Sequence, residues 1–279
     1  MKPVLDYDAL HPIRPYDPNA KYEPPEWLFE GLAIKGRVNG VFGNEKAGKS
    51  RLLNWLLVGA MIGRDVLGQR TNRPGRVLYL LGEEMFGITS TRLRRYATLQ
   101  GGTIDAEMIH FMDPASGFHM ERRDYRDWLE GKLHDYDALV IDPYRRVHQA
   151  EENSNTEMST MHNAFRVWSN RDGKTIIIIH HSGHDTLDKI KVMESRKARI
   201  SDWSRGASEL PSILDAAFNV TRDGVNEGGI TILRDGRFPP MPPMHIMDMG
   251  GPDFNPENDN GFADSRALAL AKISRSPRT

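Results

Sequence analysis

Residues 43–50 read GNEKAGKS, a glycine-rich segment that constrains the fold more than any other part of the chain. It follows an apolar stretch, GRVNGVF, and precedes an amphipathic one, KSRLLNWLLVGAM, so the pattern predicts a strand, a tight turn and a helix. Glycines let backbone N–H groups curl around phosphate oxygens, and the positive end of the following helix dipole favours the same anion. The segment therefore predicts a phosphate-binding loop.

The residue types in this loop suit a nucleoside triphosphate. Lys49 is expected to neutralise phosphate charge, and Ser50 to hold Mg²⁺ through its hydroxyl group. An accidental glycine-rich turn is the alternative, and the flanking strand and helix patterns disfavour it. Lys46 does not occupy the second loop position, where dimeric nucleotide switches of the deviant type carry an extra lysine. The predicted nucleotide-binding residues are Gly43, Asn44, Glu45, Lys46, Ala47, Gly48, Lys49, Ser50 and Arg51.

Short apolar runs alternate with longer helical patterns along the chain, as is typical of parallel strands joined by crossover helices. The predicted strands are 38–42, 76–81, 108–112, 138–141, 175–179 and 216–220. The predicted helices are 49–61, 87–99, 122–134 and 156–170. Two later segments, GGITILRD and PPMHIMDM, predict terminal antiparallel strands. The predicted fold class is α/β, with a mainly parallel central sheet flanked by helices.

The ends of the chain differ in composition from its middle. Residues 1–26 hold six of the 17 prolines, which predicts an N-terminal arm without a helix or a central strand. Residues 250–279 are rich in Gly, Pro, Asn and Asp, and we expect a flexible C-terminal tail there. One domain is predicted between them, over residues 27–249.

Charge and cysteine content exclude several classes of protein. The chain has 37 Lys and Arg against 38 Asp and Glu, so any nucleic-acid site is expected to be a local patch. The absence of cysteine excludes disulfides, thiolate metal sites and thiol catalysis. No stretch approaches the roughly 18 apolar residues of a membrane span, and MKPVLDYDALHP has no apolar signal core. We expect a soluble, cytoplasmic protein with no membrane partner.

Acidic residues follow two of the predicted strands. RVLYLLGEEM places Glu83 and Glu84 at a strand end, where parallel sheets bind ligands, and Glu83 is the preferred general base with Glu84 second. YDALVID ends in Asp142, the Walker B arrangement, in which the carboxylate contacts the Mg²⁺ shell through water. The alternative for Asp142 is a turn or cap residue before Pro143. The loop upstream favours the role in metal binding.

The next apolar strand, in IIIIHHSGH at 176–184, ends in His180 and His181, and His184 follows shortly after. His180, His181 and His184 could bind zinc, but the absence of cysteine and of an HExxH pattern disfavours this. A core or capping histidine is a second interpretation. We favour a polar sensor, His180 or His181, which contacts the γ-phosphate and passes its loss to the loop that follows.

With these elements in this order, the chain resembles the RecA-like hexameric helicases, and most closely the plasmid-type RepA replicative helicases. The similarity covers about residues 27–238. It rests on GNEKAGKS, RVLYLLGEE, IDPYRRVHQAEENSN, IIHHSGH and RGASELPSILDAA, of which the third is the most specific. The resemblance implies a RecA-like P-loop NTPase domain over 27–249 that hydrolyses ATP with Mg²⁺. It also implies self-association into a ring, as a homohexamer.

Such rings place the nucleotide between subunits, where a neighbour's arginine reaches the γ-phosphate. The resemblance implies that Arg234 and Arg237, in ILRDGRF, are the candidates, with Arg205 behind them. It also implies a channel loop that binds single-stranded DNA over 183–205, which carries six basic residues against four acidic ones. Trp203 could stack on a base or pack in the core. The candidate DNA contacts are Arg145, Arg146, Lys189, Lys191, Arg196, Lys197 and Arg199.

Three functions fit this pattern. The first is a hexameric, ATP-driven DNA helicase or translocase of plasmid or phage replication, with a replication initiator or primase as a possible partner. The second is a RecA-like, DNA-binding ATPase that acts as a recombination mediator or regulatory switch without unwinding. A nucleotide kinase is the weakest of the three, because no arginine-rich lid is evident and the acid follows the second strand.

Overall fold

The computed structural model describes most of the chain between the two ends. The described residues are 13, 15–113, 117–149, 155–182, 209–222, 228–237, 242–250 and 255–265. The described part of the predicted arm, up to residue 26, is almost entirely exposed and contains neither helix nor strand. The structured core begins directly after it.

A nine-stranded sheet organises the described residues. The strands are β1 Trp27–Phe29, β2 Ala33–Ile34, β3 Val38–Gly43, β4 Val77–Leu81, β5 Ile109–Met112, β6 Ala138–Asp142, β7 Thr175–His181, β8 Ala216–Arg222, β9 Gly229–Gly236, β10 Met244–Asp248 and β11 Phe262–Asp264. The order in the large sheet is β11-β10-β9-β8-β3-β7-β6-β4-β5, and β1 and β2 form a separate antiparallel pair. Strands from β5 to β8 in this order are parallel, and β9, β10 and β11 extend the sheet antiparallel. The predicted mainly parallel sheet with terminal antiparallel strands is confirmed.

Helices cover both faces of the sheet. They are α1 Lys49–Ile62, α2 Phe86–Leu99, α3 Arg123–Leu133, α4 Asn155–Asn170 and α5 Glu209–Ile213. Strand β7 shows why two layers are needed, because its alternate side chains point to opposite faces. Ile177 and Ile179 pack in the core formed with α1 and α2, whereas Ile176 and Ile178 pack in the core formed with α3, α4 and α5. The sequence of a strand that is buried on both faces is therefore a continuous apolar run.

The sheet extends beyond residue 249, the predicted end of the domain. Residues 262–264 form β11, which pairs antiparallel with β10, and Phe262 is buried in the core. Asp259, just before it, is also buried. Part of the predicted flexible tail is therefore built into the domain, because a three-residue strand held by a buried carboxylate leaves no apolar pattern in the sequence.

The lengths and composition of the helices test whether the chain has a membrane-spanning segment. Among the helices of the described ranges, none is long and apolar enough to cross a membrane.

Candidate functional site

The glycine-rich loop joins β3 to α1 at the carboxyl edge of the parallel strands. Gly43 adopts a φ of 149°, and a Cβ atom at this position would lie 2.5 Å from the carbonyl oxygen of Val220 on the neighbouring strand. A larger residue would therefore push β3 and β8 apart. Asn44, Glu45 and Lys46 are exposed at the tip of the loop.

Lys49 folds back into this loop. Its Nζ donates to the carbonyl oxygens of Gly43 and Asn44, at 2.9 and 2.8 Å. The same Nζ lies 3.3 Å from Nδ1 of His181. Burial lowers the pKa of Lys49 to about 8, although the charges of Asp142 and Glu83 oppose that shift. The ammonium group is thus held inside the loop, where an anionic ligand would stabilise its charged form.

Ser50 and Asp142 meet across the loop. The Ser50 hydroxyl donates to Oδ1 of Asp142 at 2.9 Å, and the Tyr79 hydroxyl donates to Oδ2 at 2.6 Å. Burial raises the pKa of Asp142 to about 6, against the opposing effect of these two hydrogen bonds. The register of β4 and β6, which pairs Leu81 with Asp142, brings the carboxylate to this edge. A hydroxyl and a carboxylate oxygen side by side suit a hard divalent cation.

The two glutamates after β4 have different surroundings. Glu84 accepts hydrogen bonds from the Thr89 hydroxyl at 2.6 Å and from Nη1 of Arg92 at 2.5 Å, and both donors lie on α2. Glu83 is about half exposed, and its Oε1 accepts from Nε of Arg146 at 3.2 Å. Glu84 is thereby tied to the helix, whereas Glu83 faces the open part of the site.

Two neighbouring cavities share this edge. A cavity of about 320 Å³ lies over Lys49, Ser50 and Asp142. A larger one of about 680 Å³ is bordered by Arg145, Arg146, His148 and Gln149. Glu83 and His181 line both cavities. Their volumes are in the range of small-molecule sites, about 300–1,000 Å³.

His180 and His181 point in different directions. His180 is buried, with its ring edge-on to Phe42 and to Tyr144 at centroid distances of 6.1 and 6.0 Å. His181 lies beside Lys49 and lines both cavities. His184 lies outside the described residues. Within the ranges that the structure describes, no group of three or more His, Cys, Asp or Glu residues could hold a metal ion.

Arg51, a predicted nucleotide-binding residue, lines the smaller cavity, and its guanidinium is bonded to two carboxylates. It donates to Asp248 on β10 and to Asp259 before β11, with all four bonds between 2.7 and 2.9 Å. Arg222 extends this network, since it donates to Asp248 at 2.7 Å and to the Lys46 carbonyl at 3.1 Å. These contacts tie the phosphate loop and α1 to the antiparallel end of the sheet.

Of the predicted finger residues, Arg237 follows β9 at the end of the sheet opposite the loop, whereas Arg234 lies in the middle of β9 and pairs with Phe218. Strand β9 runs antiparallel to β8, so Gly236 pairs with Ala216, while Val220 at the other end of β8 pairs with Gly43. Arg234 donates to the Pro242 carbonyl at 2.5 Å. Arg237 donates to the Ser212 carbonyl at 3.3 Å and lies 3.6 Å from Asp215. The remaining candidates of the channel loop, Lys189, Lys191, Arg196, Lys197, Arg199, Trp203 and Arg205, lie outside the described residues.

Tyr79, Arg92 and Arg222 are site residues that the sequence did not indicate. Tyr79 is a polar residue in the middle of an otherwise aliphatic strand, VLYLL, and that was the available signal. Arg92 and Arg222 are ordinary charges in their local sequence. Their roles depend on partners that only the folded chain brings near.

This loop, with its lysine held inside and with Ser50 on α1 bonded to Asp142 at the end of β6, defines a RecA-like P-loop ATPase. The sequence profile of the family AAA_25, described as an AAA domain, matches residues 12–186, and the chain belongs to that family. No curated protein matches the chain in sequence.

Solved structures share the fold. The ATPase domain of G40P matches with a TM-score of 0.60 at 12% identity, and the match covers 83% of this chain and 86% of that one. The RadB recombinase matches with a TM-score of 0.57 at 16% identity, covering 84% of this chain and 92% of that one. These likenesses establish the RecA-like fold.

Proposed function

We propose that this protein is an ATP-driven DNA translocase that works as a ring, in the manner of a hexameric helicase of plasmid or phage replication. The observation that carries the proposal is the arrangement of Lys49, Ser50, Asp142 and Glu83 around two adjoining cavities. One cavity lies over the phosphate loop, and the other is bordered by two consecutive arginines. Glu83 therefore lies between the proposed triphosphate site and the proposed contact with the DNA backbone.

The smaller cavity fits the phosphates of ATP. Lys49 has three N–H donors, two of which now go to loop carbonyls, and phosphate oxygens would replace those carbonyls as acceptors. Ser50 and Asp142 would hold Mg²⁺, which supplies charge neutralisation of the phosphate oxygens when bound. The observed Ser50–Asp142 distance of 2.9 Å supports this assignment, because both oxygens can face one cation.

Glu83 is the proposed general base. It is the carboxylate that faces both cavities, and it would accept a proton from the water that attacks the γ-phosphate. His181 is the proposed γ-phosphate sensor, because its ring lies beside Lys49 at the end of β7. His180, which is buried against Tyr144 and borders the larger cavity, is proposed to support His181 through packing.

A ring is proposed because neither candidate finger arginine among the described residues lines the cavities of its own subunit. Arg237 lies at the end of the sheet opposite the phosphate loop and Arg234 in the middle of β9, and each is proposed to reach the γ-phosphate of a neighbouring subunit. Arg145 and Arg146, at the larger cavity, are the described residues proposed to contact single-stranded DNA. The basic loop over 183–205 would supply further phosphate contacts around the channel.

A second function is favoured by one specific observation. The likeness to the RadB recombinase covers 92% of that chain, nearly all of it. A RecA-like, DNA-binding ATPase that does not unwind duplexes, such as a recombination mediator or a regulatory switch, would use the same nucleotide site.

ATP turnover, measured with and without single-stranded DNA, tests the proposal. We expect turnover to rise with DNA and to fall to background in Lys49→Ala, because the phosphate charge then has no ammonium partner. Native mass measurement should give the mass of about six subunits. Strand displacement from a forked duplex distinguishes the helicase from the second function. Turnover that ignores DNA, in a protein that stays monomeric with nucleotide, would overturn the translocase.

A further inference from the structure

The Arg146–Glu83 ion pair links the residue proposed to meet DNA with the residue proposed to activate water. Nε of Arg146 donates to Oε1 of Glu83 at 3.2 Å. A general base must be free to accept a hydrogen bond from the attacking water. A guanidinium bonded to the same carboxylate competes with that water for the carboxylate oxygens.

The contact is built into adjacent strand ends. Arg146 lies in the 3₁₀ turn Tyr144–Arg146 just after β6, and Glu83 follows β4, the strand next to β6 in the sheet. The N–H group of Gly82 donates to the Asp142 carbonyl at 2.8 Å, which closes the two ends together. The turn itself is fixed because Tyr144 is fully buried.

Gly82 provides the space for the arginine. A Cβ atom on Gly82 would lie 2.6 Å from Cβ of Arg146 and 3.2 Å from its Cγ. A side chain at this position would push the arginine stem away from the strand end. Because Gly82 has no side chain, Arg146 packs directly against the backbone next to Glu83.

The Arg146–Glu83 ion pair is also exposed to solvent and to ligands. Arg146 and Glu83 are 61% and 48% exposed, and an ion pair with that exposure is weak. The bond uses Nε, so the terminal nitrogens of the same guanidinium remain donors that suit a phosphate bidentately. Both residues line the larger cavity, together with Arg145. A phosphodiester oxygen there can therefore take Arg146 from Glu83.

We propose that Arg146 is a positioning residue that restrains Glu83 until the backbone of single-stranded DNA binds it, so that DNA releases the base. This inference rests on the proposed function, because it takes Glu83 as the base and DNA as the ligand. It adds a route by which DNA raises the rate of hydrolysis. The phosphate competes for one guanidinium, and the nucleotide pocket keeps its shape.

The experiment measures ATP turnover of full-length variants with and without oligodeoxythymidylate. Arg146→Ala should raise DNA-free turnover by about two- to fivefold, the range that a weak exposed pair allows. The ratio of DNA-stimulated to DNA-free turnover should fall toward one. Arg146→Lys keeps the positive charge and should return DNA-free turnover to within about twofold of wild type.

Two controls separate release of the base from general effects. Arg123→Ala removes another exposed ion pair, with Asp127 on α3, and should leave DNA-free turnover unchanged. In a Glu83→Gln background, Arg146→Ala should give no increase, because the group it would release has been removed. Equal melting temperatures show that each variant is folded.

The outcomes distinguish this inference from the proposed function. If the oligonucleotide does not change wild-type turnover, DNA is not the ligand and the proposed function fails. The DNA-free rate of Arg146→Ala would still test whether Arg146 restrains Glu83. DNA-free turnover of Arg146→Ala at or below the wild-type rate would overturn the inference. So would an increased DNA-free rate that the oligonucleotide still stimulates by the wild-type factor.

Discussion

Arg51 on α1 holds Asp259 by two hydrogen bonds, from Nε to Oδ2 and from Nη2 to Oδ1, each 2.7 Å long. Both side chains are buried, although they lie 208 residues apart in the chain. Asp259→Asn should lower the free energy of unfolding by about 3 kcal/mol, because the buried guanidinium loses one of its two carboxylate partners. Urea denaturation of the two proteins measures this difference.

Glu257→Gln is the matched control for Asp259→Asn. Glu257 pairs with Arg94 at 3.5 Å, and both side chains are well exposed. Its replacement should change the free energy of unfolding by no more than about 1 kcal/mol. Equal losses in the two variants would show that burial of the Arg51–Asp259 pair does not determine its contribution.

Glu83 and Glu84 should respond differently to replacement by glutamine. Glu83→Gln should reduce turnover by about 100-fold or more at similar nucleotide affinity, because an amide cannot accept the proton of the attacking water. Glu84→Gln should keep turnover within the same order of magnitude but lower the melting temperature, because the buried Arg92 loses one of its two carboxylate partners. Steady-state kinetics with thermal melting measure both effects, and the reverse pattern would assign the base to Glu84.

Tyr79 should affect the requirement for Mg²⁺. Its hydroxyl donates to Oδ2 of Asp142 at 2.6 Å and fixes the orientation of that carboxylate. Tyr79→Phe should raise the Mg²⁺ concentration for half-maximal turnover roughly 10-fold, the usual effect of removing a hydrogen bond to a metal ligand. Tyr136→Phe, which removes a hydroxyl bonded to His110, serves as the control. Identical Mg²⁺ titrations of Tyr79→Phe and wild type would contradict the role.

His162 should make stability depend on pH. Burial, with smaller effects from His148 and His180, lowers the pKa of His162 to about 4 in the folded protein. The unfolded chain then binds the proton more readily, so the contribution is complete above pH 6.5 and is lost as pH falls toward 4. The loss amounts to about 3 kcal/mol over this interval.

His162→Gln removes the titrating group and should flatten the dependence of unfolding free energy on pH below neutrality. His134→Gln replaces an exposed histidine and should retain the wild-type slope. Denaturation midpoints at several pH values compare the three proteins. A slope that is unchanged in His162→Gln would show that other groups cause the acid sensitivity.

Local sequence patterns predicted most of the fold. The four isoleucines of β7 and the apolar run that ends in Asp142 are continuous in the chain, so a short window contains the whole signal. The proximity of Ser50 and Asp142 also followed, because the phosphate loop and the end of the strand before Pro143 were both placed at the carboxyl edge of a parallel sheet. The observed strand β6 ends at Asp142, one residue later than predicted.

The remaining features depend on contacts between distant segments. Nothing near Arg51 indicates Asp259, and nothing near Glu83 indicates that Arg146 crosses Gly82 to reach it. Strand β11 has three residues, too few for a period of two to be recognised. A charged residue in a sequence has many potential partners, and only the register of the sheet selects one.

Every strand that carries a proposed catalytic or metal-binding residue has a hydrogen-bonded neighbour on both sides. Strands β3, β7, β6 and β4 are interior, while β5 and β11 form the two edges of the described sheet. Local opening of a sheet begins at its edges. Amide hydrogens of the interior strands should therefore exchange with solvent only through global unfolding. Local opening of the outer strands would leave the site intact.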